Sequence, residues 1–235
     1  MTDYALDISG LRGGYGEAVV VHDLGLAIKP GEIVALLGKN GMGKSTLLKT
    51  VMGFLPPMGG SVKCFGADIT GAQPHHIARR SVAYTPQEQT LFQDLTVEEN
   101  LRLALRNDAL MKPGLERIVA YFPFVPQRLK QRAGTLSGGE QKMLLVARAL
   151  MSKPKLMLVD EITEGLQPSV IEKLASVLRA EREQSQTSML LIEQHVKFAL
   201  AVADRYAVLK LGEITEQGEV SDPDAQTRIA SHLRV

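Results

Sequence analysis

Short apolar runs alternate along this chain with longer stretches in which apolar residues recur at the spacing of a helix. Four of these runs lack alternation with polar residues, at positions 33–37, 82–85, 156–159 and 189–192. Such runs are typical of parallel strands that are buried on both faces, and the helical stretches between them fit crossover connections. The pattern therefore predicts an α/β fold with a parallel sheet rather than a helical bundle or a β-sandwich.

Three other segments, at 5–11, 19–28 and 61–65, alternate more clearly and are interrupted by Gly and Pro. We interpret them as an antiparallel N-terminal sheet that packs beside the parallel one. Towards the end of the chain, the segments 205–211 and 213–216 flank Gly212, and this pattern predicts a closing hairpin.

The middle of the chain contains few strand-like segments. A helical run covers 97–105, and three prolines follow at Pro113, Pro123 and Pro126. We expect these prolines to end helices, because proline lacks an N–H and clashes with the preceding turn. The chain is therefore predicted to be one domain, in which a helical subdomain at 96–152 is inserted into a core made of residues 1–95 and 153–235.

The composition limits the classes of function. Since 27 Lys and Arg residues oppose 26 Asp and Glu residues, no long-range field would hold a nucleic acid, and any anion site must be local. The single cysteine, Cys64, argues against an intramolecular disulfide and a Cys-rich metal site, as is usual in a reducing compartment. The N-terminus lacks a signal-peptide pattern and no apolar run approaches about 18 residues, so we expect membrane attachment only through a partner.

The strongest chemical motif lies between the first central strand and a helical run at 46–54. Its eight residues are Gly38, Lys39, Asn40, Gly41, Met42, Gly43, Lys44 and Ser45, and they fit the pattern G-x-x-x-x-G-K-[ST]. We call this turn the phosphate loop. Its glycines allow successive backbone N–H groups to point inward and the helix adds its positive end, so the turn is predicted to bind phosphate.

Within the phosphate loop, Lys44 is predicted to reach the β- and γ-phosphates of a nucleotide, and the Ser45 hydroxyl to occupy one position on Mg²⁺. Thr46, the next residue, is placed to donate to an α-phosphate oxygen. The structural alternative is a glycine-rich turn with a capping serine, but such a turn does not require lysine at this position.

A second motif follows the strand at 156–159, where Asp160 and Glu161 lie at the carboxyl edge on which parallel sheets place their chemistry. Asp160 is predicted to hold Mg²⁺ through water, and Glu161 to orient and polarise an attacking water as a general base. Two solvated acids at a strand end would be the better interpretation in isolation. The phosphate loop upstream favours the catalytic interpretation.

A third motif, which we call the signature turn, is the sequence Leu-Ser-Gly-Gly-Glu-Gln at 136–141, before a helical run at 142–152. Ser137 and Glu140 have the spacing of a capping box, and helix stability alone is one explanation. Gly138 and Gly139 between them are poor helix formers. Their presence makes sense if a phosphate must approach the backbone where the helix begins.

With these motifs, the chain resembles the ATP-binding subunit of an ATP-binding-cassette (ABC) transporter over essentially its whole length. That family carries a Walker A motif, a Q-loop, an LSGGQ signature, a Walker B motif with a following Glu, a D-loop and a switch residue, in this order. The resemblance implies the P-loop NTPase fold of ABC ATPases, with a mixed sheet, an antiparallel N-terminal sheet and an inserted helical subdomain. It also implies hydrolysis of ATP with Mg²⁺ as cofactor.

The resemblance further implies that two subunits pair head to tail, with each ATP between the phosphate loop of one and the signature turn of the other. The signature residues Ser137, Gly138, Gly139 and Glu140 would then contact the partner's nucleotide. Tyr15 matches the aromatic residue that stacks on adenine, and Gln87 matches the Q-loop glutamine that contacts Mg²⁺. The alternatives are a tyrosine at a strand end and a glutamine in a surface loop.

Several positions depart from the family pattern. The D-loop at 164–168 lacks the Asp that many members carry, and Ile162 replaces the usual proline. The switch histidine position falls on Gln194, whose amide still donates a hydrogen bond, but a register shift would bring in His195 instead. We favour Gln194 and keep both as candidates. Met42 stands where a small residue is usual, and we expect its side chain to point outward.

Within the family, the short chain and the D-loop and switch segments resemble the ATPases of importers for branched-chain amino acids, urea and short amides. Of these solutes we favour branched-chain or other hydrophobic amino acids, with urea or short amides as the alternative. This implies a peripheral subunit at the cytoplasmic face of the membrane that powers import, with two permease subunits and, indirectly, a solute-binding protein. The helical subdomain and the loop after Gln87 would accept the permease helices. The sequence leaves open the solute, the direction of transport, and whether the second ATPase is an identical chain.

Three other functions are weaker. A soluble cassette ATPase acting on nucleic acid or ribosomes would normally carry tandem cassettes or a basic extension. A nucleotide-binding regulator that does not hydrolyse ATP would have lost Lys44 or Glu161, and a small-molecule phosphotransferase has no use for the signature turn. We therefore prefer the hypothesis that the chain is a transport ATPase to these three alternatives.

Overall fold

The computed structural model describes residues 4–87 and 91–233. Its strands are β1 (Leu6–Tyr15), β2 (Ala18–Ile28), β3 (Ile33–Leu37), β4 (Gly59–Cys64), β5 (Ala67–Asp68), β6 (Val82–Thr85), β7 (Leu156–Asp160), β8 (Ser188–Glu193), β9 (Arg205–Lys210) and β10 (Glu213–Glu219). Its α-helices are α1 (Lys44–Val51), α2 (Pro74–Ala78), α3 (Val97–Arg102), α4 (Met111–Val119), α5 (Val125–Arg128), α6 (Gly138–Met151), α7 (Pro168–Ser185), α8 (Val196–Val202) and α9 (Ala225–Leu233). Two short 3₁₀ turns cover Asp108–Leu110 and Ala133–Thr135.

The larger sheet has six strands in the order β10-β9-β3-β8-β7-β6. Strands β9, β3, β8, β7 and β6 run parallel, and β10 pairs antiparallel with β9 as the predicted closing hairpin. All residues of β3, β7 and β8 are buried, which explains why their sequences show no alternation. In the register of the sheet, Leu37 lies beside Glu193 and Asp160 beside Ile192, so these strands end at the same edge.

The smaller sheet is antiparallel, with the order β2-β1-β4-β5, as predicted for the N-terminal part of the chain. Strand β1 extends four residues beyond its predicted end, to Tyr15, across register shifts opposite β2. Strand β5 was not predicted, because two residues carry no periodic signal. Helix α1 supplies Leu47, Leu48 and Val51 to a core that also contains residues of both sheets, so the helix holds the two sheets together.

The segment predicted to be helical, 96–152, contains α3, α4, α5 and α6. Its prolines do not all end helices, as the sequence suggested. Pro113 lies in the first turn of α4 and Pro126 at the start of α5, while Pro123 lies between these helices. The prediction is wrong for Pro113 and Pro126 because the first turn of a helix needs no N–H from its residues.

Helix α4 is held in place by two contacts. Gly114 of α4 is buried, and a Cβ at this position would lie 2.9 Å from Met151 Cε, so α4 packs closely against the Met151 side chain of α6. Arg117 of α4 forms an ion pair with the buried Glu181 of α7, whose Oε1 also accepts a hydrogen bond from Thr187 Oγ1 at 2.8 Å. None of the helices in the described ranges 4–87 and 91–233 is long and apolar enough to cross a membrane.

Candidate functional site

The phosphate loop forms the turn between β3 and α1, and its backbone conformation and close contacts favour glycine at three positions. Gly41 and Gly43 have φ angles of 79° and 99°, in the left-handed region that side chains disfavour. A Cβ on Gly38 would lie 2.7 Å from the Leu209 carbonyl oxygen. Helix α1 begins at Lys44, two residues earlier than predicted, and has neither a side-chain cap nor an acidic residue in its first turn. Its first N–H groups are therefore left for an anion.

Lys44 is buried beneath this loop and bends back across it. Its Nζ donates hydrogen bonds to the Gly38 and Lys39 carbonyl oxygens, each at 2.8 Å. The same Nζ lies 2.9 Å from Glu161 Oε1, and both side chains are about nine-tenths or more buried. The structure thus joins the lysine of the first motif to the second acid of the second motif.

Glu161 reaches Lys44 because its backbone turns sharply at the end of β7. Its φ of 46° is unusual for a residue with a side chain and costs on the order of 1–3 kcal/mol. A hydrogen bond of 2.9 Å from the Glu161 N–H to the Ile192 carbonyl oxygen holds this conformation against β8. The strained turn directs Glu161 into the network, while Asp160 before it stays within the strand.

Two amides complete the network around Glu161. Its Oε2 accepts hydrogen bonds from Gln87 Nε2 at 3.0 Å and from Gln194 Nε2 at 2.9 Å. Gln194 Nε2 also donates to Asn40 Oδ1 of the phosphate loop at 2.7 Å. The structure therefore brings together five of the predicted site residues, and their roles in catalysis remain predictions.

Asp160 lies behind this network and is buried. Within the described part of the chain its Oδ1 has no hydrogen-bond partner, and burial raises the pKa of its carboxyl group to about 6, an effect that the Ser45 hydroxyl opposes. A buried carboxylate oxygen without a partner, next to a serine hydroxyl, is the oxygen donor set that Mg²⁺ prefers. The pair therefore fits the predicted metal position, with Gln87 as the third candidate donor.

The two switch candidates occupy different environments. His195 precedes α8 and caps it, because its Nδ1 accepts a hydrogen bond from the Phe198 N–H at 3.0 Å. Gln194 points instead into the network around Glu161. This geometry favours Gln194 as the switch residue and gives His195 a structural task.

Sequence reasoning missed Glu193, the buried last residue of β8. Its Oε2 accepts a hydrogen bond from Thr163 Oγ1 at 2.7 Å, and its Oε1 accepts one from the Thr163 N–H at 3.3 Å. Burial raises the pKa of the Glu193 carboxyl group to about 7. Through these hydrogen bonds, Glu193 holds the turn after Glu161 against the end of β8, next to Gln194. The available signal was an acid in an apolar strand, but the predicted strand stopped one residue before it.

The signature turn does not join this network. Helix α6 begins at Gly138, four residues earlier than predicted, and Ser137 caps it. Glu140 N–H donates to Ser137 Oγ at 3.3 Å and Ser137 N–H to Glu140 Oε2 at 3.0 Å, so the capping box is formed. Hydrogen bonds from the Ser137 hydroxyl, at 2.8 Å, and from the Ser137 N–H lower the pKa of the Glu140 carboxyl group. A Cβ on Gly138 would meet nothing within 4 Å, whereas one on Gly139 would lie 3.0 Å from Val170 Cγ2. The backbone at Gly138 is therefore open to an outside group.

The remaining predicted contacts lie around the rim of the phosphate loop. Tyr15 stands at the end of β1 with 49% of its surface exposed, as an available stacking face would be. Thr46 is buried in α1. The Met42 sulfur lies 3.3 Å from the Leu211 N–H, so its side chain packs on the hairpin and not on the concave side of the loop.

Comparisons with known proteins identify the family to which the chain belongs. The family described as ABC transporter matches residues 21–164. The chain is 41% identical over 202 residues to the high-affinity branched-chain amino acid transport ATP-binding protein BraG of Pseudomonas aeruginosa, covering 85% of this chain and 86% of that protein. It is 36% identical over 214 residues to the probable branched-chain amino acid transport ATP-binding protein LivF of Archaeoglobus fulgidus, covering 90% and 91% of the two chains.

Solved structures give the same result for the fold. A nucleotide-free ATP-binding cassette from an ABC transporter superposes with a TM-score of 0.86 at 22% identity, covering 99% of both chains. An ATP-binding subunit of an ABC transporter superposes with a TM-score of 0.82 at 28% identity, covering 96% of this chain and 94% of that one. The predicted combination of a mixed sheet, an antiparallel sheet and helices is therefore confirmed.

Proposed function

The chain belongs to the ABC transporter family of ATP-hydrolysing subunits, and from this premise we propose that it powers the import of branched-chain or other hydrophobic amino acids through a membrane permease. The observation that carries the catalytic part is the network around Glu161, which joins the phosphate loop, the carboxyl end of β7 and the end of β8. The proposed solute follows from the similarity to BraG and LivF, two branched-chain amino acid transport ATP-binding proteins, which supports amino acids over urea and short amides.

The network supplies a mechanism for hydrolysis in which each side chain has one task. The N–H groups of the phosphate loop bind the β- and γ-phosphates, and Lys44 exchanges its contact with Glu161 for the phosphate oxygens. Mg²⁺, held by Ser45, Asp160 and Gln87, would supply charge compensation for those oxygens. Glu161, once released from Lys44, is the base that faces an attacking water.

In the chemical step, water attacks the γ-phosphorus and Glu161 accepts the water proton, while the bond to the β-phosphate oxygen breaks and ADP leaves. A base of this kind contributes roughly 10²–10⁴ in rate. The side-chain amide of Gln194 donates a hydrogen bond to the γ-phosphate, at the position where the family usually carries the switch histidine. Asn40, its present partner at 2.7 Å, holds the amide at the mouth of the loop.

A head-to-tail dimer would complete the site. In one chain, the signature turn makes no contact with the Glu161 network, and its backbone at Gly138 is open. A second copy, or a related ATPase, would place this turn against the γ-phosphate. Closure would then follow ATP binding, because the closed state alone offers these contacts, and hydrolysis would release it.

A groove beside β6 is the candidate permease surface. The groove is lined by Phe92 and Leu103, whose exposed fractions are 59% and 56%. Tyr84, Leu145 and Arg148 line it as well. Burial lowers the pKa of the Arg148 guanidinium, so a partner helix that carries a carboxylate would suit the groove. Docking here would hold the chain at the cytoplasmic face of the membrane as a peripheral subunit, and a solute-binding protein would act at the opposite side.

The test is solute uptake in cells that lack the chain and then regain it. We expect uptake of labelled leucine, isoleucine and valine to be restored by the wild-type chain and not by Glu161→Gln, while the matched variant Glu172→Gln, at an exposed position of α7, restores it. Labelled urea and acetamide serve as the second pair of solutes. Restoration of urea or acetamide uptake, with leucine uptake unaffected, would overturn the proposed solute and leave the ATPase role standing.

A further inference from the structure

A cavity of about 550 Å³ lies between the end of α2, the segment after α3, the start of α4 and the end of α6. None of its lining residues belongs to the phosphate loop, to the Glu161 network or to the signature turn. The proposed hydrolysis mechanism therefore makes no use of it.

The cavity is lined by four cationic residues and by no acidic one: Arg79, Arg106, Arg117 and Lys153. Glu181 neutralises Arg117 from α7. For the other three, no carboxylate of the described ranges lies within 4.0 Å of the charged nitrogens. Arg106 also donates from Nη2 to the Arg79 carbonyl oxygen at 2.7 Å, which keeps two positive residues on one rim. The lining is therefore complementary to an anion.

The backbone of the cavity wall contains two left-handed turns. Ser81 and Lys153 have φ angles of 62° and 51°. Lys153 follows the C-cap of α6, where a left-handed residue is a common way to end a helix. A hydrogen bond from the Lys155 N–H to the Ser81 carbonyl oxygen, at 2.8 Å, joins the segments that carry the two turns. The fold therefore fixes the position of Lys153 on the cavity wall.

The rest of the lining indicates which anion fits. Leu105, Leu110 and Pro113 form apolar walls, and with no acidic residue in the lining an ammonium group would find no partner. A free amino acid is therefore a poor ligand. Guanidinium groups bind the oxygens of phosphate through paired hydrogen bonds, and apolar walls accept an uncharged substituent.

We propose that this cavity binds a phosphate ester, either the headgroup of an anionic phospholipid or a soluble phosphorylated compound. The lipid source rests on the proposed function, because the cavity shares Ala78, Ala104 and Ser152 with the candidate permease groove and would lie near the membrane surface. The soluble compound would bind whether or not a permease is present. Both ligands would present phosphate oxygens to the same cationic side chains.

The first experiment is flotation of the full chain with vesicles of phosphatidylcholine, with or without 30 mol% phosphatidylglycerol, and with saturating Mg-ADP to occupy the phosphate loop. The test variant is Arg106→Gln with Lys153→Gln, and the matched variant is Lys63→Gln with Lys173→Gln, at exposed positions outside the cavity. Since each basic residue at a membrane surface contributes about fivefold, the test variant is expected to weaken binding to the anionic vesicles about 25-fold. The matched variant should change it less than twofold.

The second experiment measures competition for the cavity by glycerol 3-phosphate, with the spectrum of the protein followed by NMR under the same Mg-ADP saturation. Displacement of the anionic vesicles at millimolar concentration, with shifts at Arg79 and Arg106, would identify a soluble phosphate ester as a ligand. Vesicle binding without competition would identify the lipid headgroup. Equal loss in both double variants, or the absence of both vesicle binding and shifts, would overturn the proposal. Unchanged ATP hydrolysis in the Arg106/Lys153 variant would leave the proposed function intact in either case.

Discussion

The phosphate loop and the signature turn are both glycine-rich starts of helices, yet they are prepared for different tasks. Helix α1 begins without a side-chain cap, while the side chains of Lys44 and Glu161 meet beneath its loop. Helix α6 begins with a complete capping box from Ser137 and Glu140 and an open backbone at Gly138. The phosphate loop is therefore joined to other predicted site residues of its own chain, whereas the signature turn is stabilised locally and has open space beside Gly138.

The difference depends on the strands that lie beside each helix N-terminus. The phosphate loop follows β3, and the neighbouring strands β8 and β7 end at the same edge with Gln194 and Asp160. The signature turn follows a 3₁₀ turn in the helical segment, where no strand end delivers acids or amides. The variants below test this division, beginning with the largest expected effect.

Replacement of Glu161 by Gln should remove the base from the phosphate-loop half while leaving nucleotide binding in place. We expect the kcat for ATP hydrolysis to fall by roughly 10²–10⁴, as measured by phosphate release. Binding of a fluorescent ATP analogue should remain. Glu172→Gln is the control, because Glu172 is an exposed carboxylate on α7 and lies outside the Glu161 network. A near-normal rate in Glu161→Gln would show that Glu161 is not the base.

Variants of Gln194 and His195 separate the switch candidates. Gln194→Ala should lower kcat by about 10²–10³, because a donor to the developing phosphate charge is lost. His195→Ala should keep the rate and lower the free energy of unfolding by roughly 0.5–2 kcal/mol, because a helix cap is lost. Steady-state kinetics measures kcat, and urea denaturation measures the free energy of unfolding, for both variants. The reverse result would assign the switch to His195.

Replacement of Gly138 by Ala tests the signature half. The added methyl group meets nothing within the chain, so the midpoint of thermal unfolding should stay the same or rise slightly. Hydrolysis should nevertheless fall about tenfold or more, since the methyl group would lie where a partner's phosphate approaches the backbone. Light scattering with Mg-ATP in the Glu161→Gln background should show loss of the dimer. Ser137→Ala is the comparison, with a stability loss of about 1 kcal/mol. Normal hydrolysis in Gly138→Ala would refute the head-to-tail arrangement.

Glu193→Gln tests how the phosphate-loop half is held in shape. The pKa of Glu193 is about 7 in the folded chain and near 4.5 in an ordinary carboxyl, so the native state binds the proton more tightly than the unfolded state. The wild-type chain should therefore lose stability relative to Glu193→Gln as the pH rises from about 4.5 through 7, by roughly 1–3 kcal/mol. Urea denaturation at pH 5, 6, 7 and 8 measures the difference, with Glu213→Gln as an exposed control. A pH-independent difference would argue against a buried carboxyl at 193.

Much of the architecture could be predicted because periodicity reports burial directly. The four central strands are adjacent in the sheet, and the N-terminal antiparallel sheet and the closing hairpin are where the pattern placed them. Helix starts were less accurate. The predicted run at 142–152 begins at Gly138 in the structure, because a capping box formed by Ser137 supports glycines that propensity alone would exclude.

Individual residues of the candidate site could be predicted from the sequence, but the contacts between them could not. The sequence identified Lys44, Glu161 and Gln194 separately, but their contacts join residues as far apart as 154 positions along the chain. Glu193 was missed because an acid in an apolar strand gives no local sign of the threonine that satisfies it. The cationic cavity was also invisible, since its lining comes from four separate stretches of the sequence.

The sequence by itself determined the elements and the chemical motifs, because periodicity, glycine placement and residue type act over a few neighbouring positions. Only the tertiary structure decided which acid meets Lys44, which switch candidate contacts Glu161 and which glycine of the signature turn has open space beside it. These outcomes depend on the register of parallel strands and on the strained turn at Glu161. Both are set by packing between segments that are distant in the sequence, and packing of that kind leaves no local pattern.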